Sequence, residues 1–114
     1  MARDGENKMK QLLQKALDKW GVEKQLRLAQ EELAELIVAI SKLLRYSKPN
    51  SNKTTQLRSV NISTEEFNLI DELADVTIVL EQIKIILDPH DIGLLDKQIN
   101  FKLKRLEKRI EAID

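Results

Sequence analysis

Residues 71–87 read DELADVTIVLEQIKIIL, a run in which two acids, Glu72 and Asp75, stand among aliphatic side chains on nearly every side. A helix that is apolar all round is buried all round, so the run predicts a helix at the centre of a bundle or across a dimer interface. Acids in such surroundings cost on the order of several kcal/mol unless positive charge compensates them. The segment therefore predicts both a helical core and a bound cation.

Apolar residues at helical spacing predict four helices in all. Their expected ranges are about Glu6–Lys19, Val22–Tyr46, Ser63–Leu87 and Leu94 onward. Gly21 ends the first helix, and Ser63 with Glu66 three residues later forms a capping box at the start of the third. Only three Gly and two Pro occur, which favours long helices over tight turns. The predicted fold class is all-α, a four-helix bundle completed by dimer or tetramer assembly.

Length and charge narrow the functional classes. The 114 residues fit one domain, 1–114, and 19 basic against 19 acidic residues argue against a general nucleic-acid partner. The sequence has no Cys and no apolar run long enough for a membrane helix, so we expect a cytoplasmic protein without a membrane partner. Residues 47–62 are polar and are interpreted as an inserted loop. Lys53 and Arg58 could close this loop over an anion; a mobile surface loop is the alternative.

A second pair of acids, Glu32 and Glu35, repeats the i, i+3 spacing in the second helix. Such a pair alone is typical of a solvated helix surface, but facing carboxylate pairs in a bundle core hold cations. Ligation by oxygen alone favours Mg²⁺, with Mn²⁺ as a substitute. The one histidine, His90, is interpreted as an exposed turn residue.

Mg²⁺ held by a few carboxylates keeps positions open for water and for substrate phosphates. It can orient a water for attack on phosphorus, and Glu31 could accept a hydrogen bond from that water as the base. Positive charge for a polyphosphate would come from Lys97 and Lys104 of the last helix, or from the loop's Lys53 and Arg58.

Two segments, EELAEL at 31–36 and DELADV at 71–76, together resemble the EExxE…ExxD signature of the MazG-like all-α nucleoside triphosphate pyrophosphohydrolases. The resemblance extends from about Trp20 to Arg109. It implies an oligomeric helical bundle that uses Mg²⁺ to cleave a nucleoside triphosphate between its α and β phosphates. Thirty-six residues separate Glu35 from Glu72, more than is usual in the family, and the excess falls in the 47–62 connection.

The resemblance also assigns residues by position. The metal ligands it implies are Glu32, Glu35, Glu72 and Asp75, with Glu31 as the accompanying acid. Asn100, between Lys97 and Lys104, resembles the polar residues that the last helix offers to substrate. Trp20 could stack on the base, although a packing role at the corner between the first two helices is the simpler reading.

Two other functions remain open on the sequence. The chain could be a non-catalytic helical oligomer that binds nucleotide. It could also be a partner-binding module whose acids are surface charge and whose third helix is a dimer seam. An acid at every implied ligand position favours the enzyme over both.

Overall fold

The computed structural model describes residues 2–46 and 63–113, and within them it contains four α-helices and no strand. They are α1 Ala2–Trp20, α2 Val22–Tyr46, α3 Thr64–Leu87 and α4 Leu94–Ile113. The all-α class and the order of the four helices are confirmed, and α2 has the predicted bounds. The predictions for the 47–62 loop, Lys53 and Arg58 included, fall outside the described residues.

The start of α3 is fixed by the predicted capping box. The Ser63 backbone N–H donates to Glu66 Oε1 at 2.9 Å, and the Glu66 N–H donates to Ser63 Oγ at 3.1 Å. These two bonds satisfy donors that the first turn of a helix otherwise leaves without partners. The third helix therefore begins at a defined residue, Thr64.

The corner between α1 and α2 depends on Gly21, whose φ is +85°. A Cβ is strained at this φ, and the Gly21 N–H donates to the Leu17 carbonyl at 2.8 Å to close the end of α1. Trp20 lies beside this turn, half exposed, with the ammonium groups of Lys19 and Lys24 at 5.3 and 5.9 Å from its ring centroid.

The chain forms two compact units, Met1–Ile83 and Lys84–Asp114. The first unit has a small core drawn from α1, α2 and the first part of α3. Its buried apolar residues are Leu13, Ala29, Ala39, Leu43, Val76 and Val79. Gln82 is also buried, only 2 % exposed, and its amide oxygen and nitrogen have no hydrogen-bond partner among the described residues. None of the described helices has the length and apolar character needed to cross a bilayer.

The apolar surface of α3 is only partly covered by this chain. Leu73, Ile78 and Leu80 are 51 %, 46 % and 49 % exposed, so a single chain does not bury α3 on all sides. The predicted alternative, burial across a dimer interface, stays a prediction. The side chains that do pack inward, Val76 and Val79, occupy one stripe of the helix. The remaining stripes leave a large apolar area on the first unit.

In the second unit, Asp88 organises the turn between the end of α3 and α4. Its carboxylate accepts three backbone N–H groups, from Ile92 at 3.0 Å, Gly93 at 2.9 Å and Leu94 at 3.1 Å. These bonds, led by that from Ile92, lower the pKa of Asp88, although burial opposes them. The fourth helix, α4, begins at Leu94, as predicted. His90 lies in the exposed turn, as predicted.

Candidate metal centre

The acids of α2 and α3 lie close together in the first unit. Carboxylate oxygens of Glu32, Glu35 and Glu72 all lie within 4.8 Å of one another. Oxygens of Asp71, Glu72 and Asp75 form a second group within the same limit. Because Glu72 belongs to both groups, the acids form one continuous carboxylate cluster across two helices.

The cluster forms because α2 and α3 run antiparallel. One cleft is lined by Ala39 of α2 and Asn68 of α3, and another is lined by Ala29 of α2 and Ile83 of α3. Residues later in α3 therefore lie beside residues earlier in α2. With this register the i, i+3 pair on each helix falls at the same level as the pair on the other.

Two oxygens of the cluster are buried without a partner. Glu32 Oε2 and Glu72 Oε2 are inaccessible to solvent, and no donor among the described residues hydrogen-bonds to either. Buried carboxylate oxygens are normally satisfied by a donor or by a metal ion. Both oxygens are therefore candidate ligands for a metal ion.

The electrostatics of the site agree with this reading. Loss of solvation raises the pKa of Glu32 above its ordinary value, and the neighbouring carboxylates of Glu35, Asp75 and Glu72 raise it further. Loss of solvation is also the largest cause of the raised pKa of Glu72, followed by Glu35, Asp75 and Asp71. The protein alone thus disfavours the charged form of two acids that a divalent cation would stabilise.

The oxygen spacing can be compared with what Mg²⁺ requires. Mg²⁺ lies about 2.0–2.1 Å from each ligand, so ligands on opposite sides are about 4.2 Å apart. The Glu32, Glu35 and Glu72 oxygens lie within 4.8 Å of one another. Small side-chain rotations can close the difference between this distance and about 4.2 Å. A donor set of carboxylates without nitrogen or sulfur also fits Mg²⁺ or Mn²⁺. The residues present therefore fit the predicted ion.

An open cleft of about 350 Å³ adjoins the carboxylate cluster. Its lining residues are Ala34, Glu35, Val38, Ala39, Lys42, Asn68, Asp71 and Glu72. Among the described residues of this lining Lys42 supplies the one cationic side chain, and Asn68 supplies an amide. We call this space the Lys42 cleft.

Sequence reasoning missed Asp71, Lys42 and Asn68, although each had a detectable signal. Asp71 precedes Glu72 as Glu31 precedes Glu32. Lys42 follows Glu35 by seven residues and Asn68 precedes Glu72 by four, spacings that keep side chains on one face of a helix.

The other predicted site residues lie elsewhere in the described structure. Glu31 is exposed on α2 and belongs to neither carboxylate group. Lys97, Asn100 and Lys104 are exposed on α4, in the second unit. A small basic cavity on α4 is lined instead by Lys102, Arg105, Leu106 and Arg109. Roles in substrate binding for the predicted α4 residues, and for Trp20, stay predictions.

No family model, curated protein or solved structure matches the chain. The cluster's own features are the convergence of acids from two helices and two buried oxygens that have no partner among the described residues.

Proposed function

We propose that this protein is a Mg²⁺-dependent nucleoside triphosphate pyrophosphohydrolase of the MazG-like kind. It would cleave its substrate between the α and β phosphates and release the monophosphate and pyrophosphate, clearing surplus nucleotides. The observation that carries the proposal is the convergence of Glu32 and Glu35 with Glu72, where Glu32 and Glu72 each bury an oxygen that has no partner among the described residues.

In this proposal Glu32, Glu35, Glu72 and Asp75 hold Mg²⁺, and Mn²⁺ can replace it. The ion supplies neutralising charge for the phosphates and a more acidic water. Glu31, exposed next to the ligand Glu32, accepts the proton from the attacking water. No other nucleophile is needed, because water orientation and charge neutralisation carry most phosphoryl-transfer catalysis.

Self-association as a dimer or tetramer is part of the proposal. The apolar side chains left exposed on the first unit include Ile37, Phe67 and Leu73, at 64 %, 58 % and 51 %. Large apolar side chains left exposed on two neighbouring helices are typical of an interface. A second copy would cover what a single chain leaves in water.

The second candidate is a non-catalytic helical oligomer that binds nucleotide or a partner through the same surfaces. The exposed apolar faces of α2 and α3 favour it as far as assembly is concerned. It gives no reason, however, for two buried carboxylate oxygens that no described residue donates to. The enzyme accounts for both observations.

The test is a panel of ribo- and deoxyribonucleoside triphosphates incubated with the protein and Mg²⁺, with pyrophosphate and orthophosphate measured separately. We expect pyrophosphate from at least one substrate, and loss of turnover in Glu72→Gln and in Asp75→Asn. Glu107→Gln is the matched control, because Glu107 is an exposed acid on α4 that lies in neither carboxylate group. No release from any nucleotide would favour the non-catalytic oligomer, and orthophosphate alone would refute the α–β cleavage.

A further inference from the structure

The carboxylate cluster has a neighbour that its metal chemistry does not use. The Lys42 cleft shares Glu35, Asp71 and Glu72 with the cluster, so anything bound in the cleft lies directly beside the acids. Its volume of about 350 Å³ is at the lower end for small-molecule sites, and it is open to solvent. The cleft is therefore accessible to a small ligand.

Its lining divides into two parts of different character. Ala34, Val38 and Ala39 form an apolar wall with small side chains, which leaves room close to the α2 backbone. Lys42 and Asn68, from α2 and α3, contribute an ammonium and an amide, groups that donate hydrogen bonds to anionic oxygens. Lys42 is exposed and forms no ion pair with a described residue, so its charge is available to a ligand.

A cation next to an acidic cluster has two simple roles. It can neutralise the acids, or it can bind an anion that is held partly by a metal on those acids. The first role is unsatisfactory here, because Glu32 Oε2 and Glu72 Oε2 have no donor among the described residues although Lys42 lines the same cleft as Glu72. The second role fits a ligand that carries several negative charges and bridges from metal to ammonium.

We propose that the Lys42 cleft binds the polyphosphate part of the substrate, with the Lys42 ammonium and the Asn68 amide as its donors. The inference rests on the proposed function for the identity of the substrate. It replaces Lys97 and Lys104 of α4 as the first source of positive charge for the phosphates. Lys42 is thus a binding residue for the phosphates and is separate from the metal ligands.

The experiment measures binding without turnover. Inorganic tripolyphosphate is titrated into the full chain by calorimetry with Mg²⁺ present, and Mg²⁺ alone is titrated separately. We expect Lys42→Gln to weaken tripolyphosphate binding about tenfold, the loss of one charge-assisted hydrogen bond. Its affinity for Mg²⁺ alone should be unchanged or higher, because a neighbouring positive charge is gone. Lys15→Gln, which removes one exposed charge from α1, is the matched control and should bind tripolyphosphate as the wild type does.

A second variant tests the other proposed donor of the cleft. Asn68→Asp adds a negative charge to the cleft and should weaken tripolyphosphate binding at least as much as Lys42→Gln. Unchanged tripolyphosphate affinity in both variants would overturn the proposal, as would an equal loss in Lys15→Gln. Lys42-dependent binding without hydrolysis of any nucleotide would refute the proposed enzyme and leave the binding site standing. Hydrolysis with no dependence on Lys42 would refute the binding site and leave the proposed enzyme standing.

Discussion

The affinity of the carboxylate cluster for Mg²⁺ should rise steeply with pH. Glu32 and Glu72 have pKa values above the ordinary 4.5, chiefly because burial removes solvent from their charged forms. A carboxyl group must lose its proton before it can bind a metal ion. At a pH between 4.5 and the raised values, Mg²⁺ therefore competes with protons on these two groups.

The size of the effect follows from counting these protons. One proton on Glu32 and one on Glu72 give a maximum of two released for each Mg²⁺ bound. The logarithm of the apparent affinity then rises with pH with a slope of up to two, or up to about 100-fold per pH unit where both groups are protonated. Above the raised pKa values the slope falls to zero.

Calorimetric titration with Mg²⁺, in buffers of differing ionisation enthalpy from about pH 5 to about pH 7.5, measures both the affinity and the protons released. Glu32→Gln and Glu72→Gln should each reduce the maximum slope by one, besides weakening binding. The exposed acid Glu107 is again the control, and Glu107→Gln should keep the wild-type slope. An affinity that does not change with pH, or equal slopes in all four proteins, would refute the reasoning.

The same two groups should make the folded protein less stable as the pH rises when no metal is bound, whereas the affinity for Mg²⁺ rises with pH. Since their folded-state pKa values are raised, the folded protein binds these protons more tightly than the unfolded chain does. Their contribution to stability is then fully present below about pH 4.5 and is lost as the pH rises through the raised values. Saturating Mg²⁺ should remove that loss. Thermal unfolding with and without Mg²⁺ measures the difference.

Three further predictions concern the scaffold, each checked by chemical or thermal unfolding. Leu43→Ala should lower the free energy of unfolding by about 2–5 kcal/mol, because Leu43 is buried. The neighbouring Leu44 is exposed, so Leu44→Ala should lower it much less. Equal losses in the two variants would contradict the assigned core. Gln82→Met should raise the free energy of unfolding by about 1–3 kcal/mol, because it removes a buried amide that has no partner among the described residues. Gln11 is exposed, so Gln11→Met should stay within about 0.5 kcal/mol of the wild type. A destabilised Gln82→Met would mean that the amide has a partner after all. Asp88→Asn should be less stable than the wild type near neutral pH. Because the pKa of Asp88 is lowered in the folded protein, its contribution to stability is present above pH 3.8 and is lost as the pH falls through the folded-state pKa. A variant as stable as the wild type at every pH would count against the three backbone hydrogen bonds.

The helices of this protein were predictable because their signals are local. Periodic apolar residues and Gly21 set the bounds of α2, and the reciprocal bonds of Ser63 and Glu66 set the start of α3. The turn after α3 was less predictable. The three N–H groups that Asp88 accepts come from residues four to six positions later, and they converge only because Asp91 and Gly93 adopt positive φ.

The site was predictable only as far as the spacing within each helix shows it. The i, i+3 spacing shows that Glu32 and Glu35 share a side of α2, but it does not fix the register of α2 against α3. That register brings Asp71, Lys42 and Asn68 to the same place, and it depends on packing between residues far apart in sequence. Periodicity also shows that α3 is apolar on all sides without showing whether the same chain or a second copy covers it.

The most direct test of the account is the position of a bound ion. Crystals soaked with Mn²⁺, examined at an X-ray energy where manganese scatters anomalously, should show a peak coordinated by carboxylate oxygens from both α2 and α3, Glu32, Glu35 and Glu72 among them. In Glu72→Gln this peak should be weaker or absent. No peak at the cluster at millimolar Mn²⁺, or one coordinated by residues outside it, would contradict the central claim.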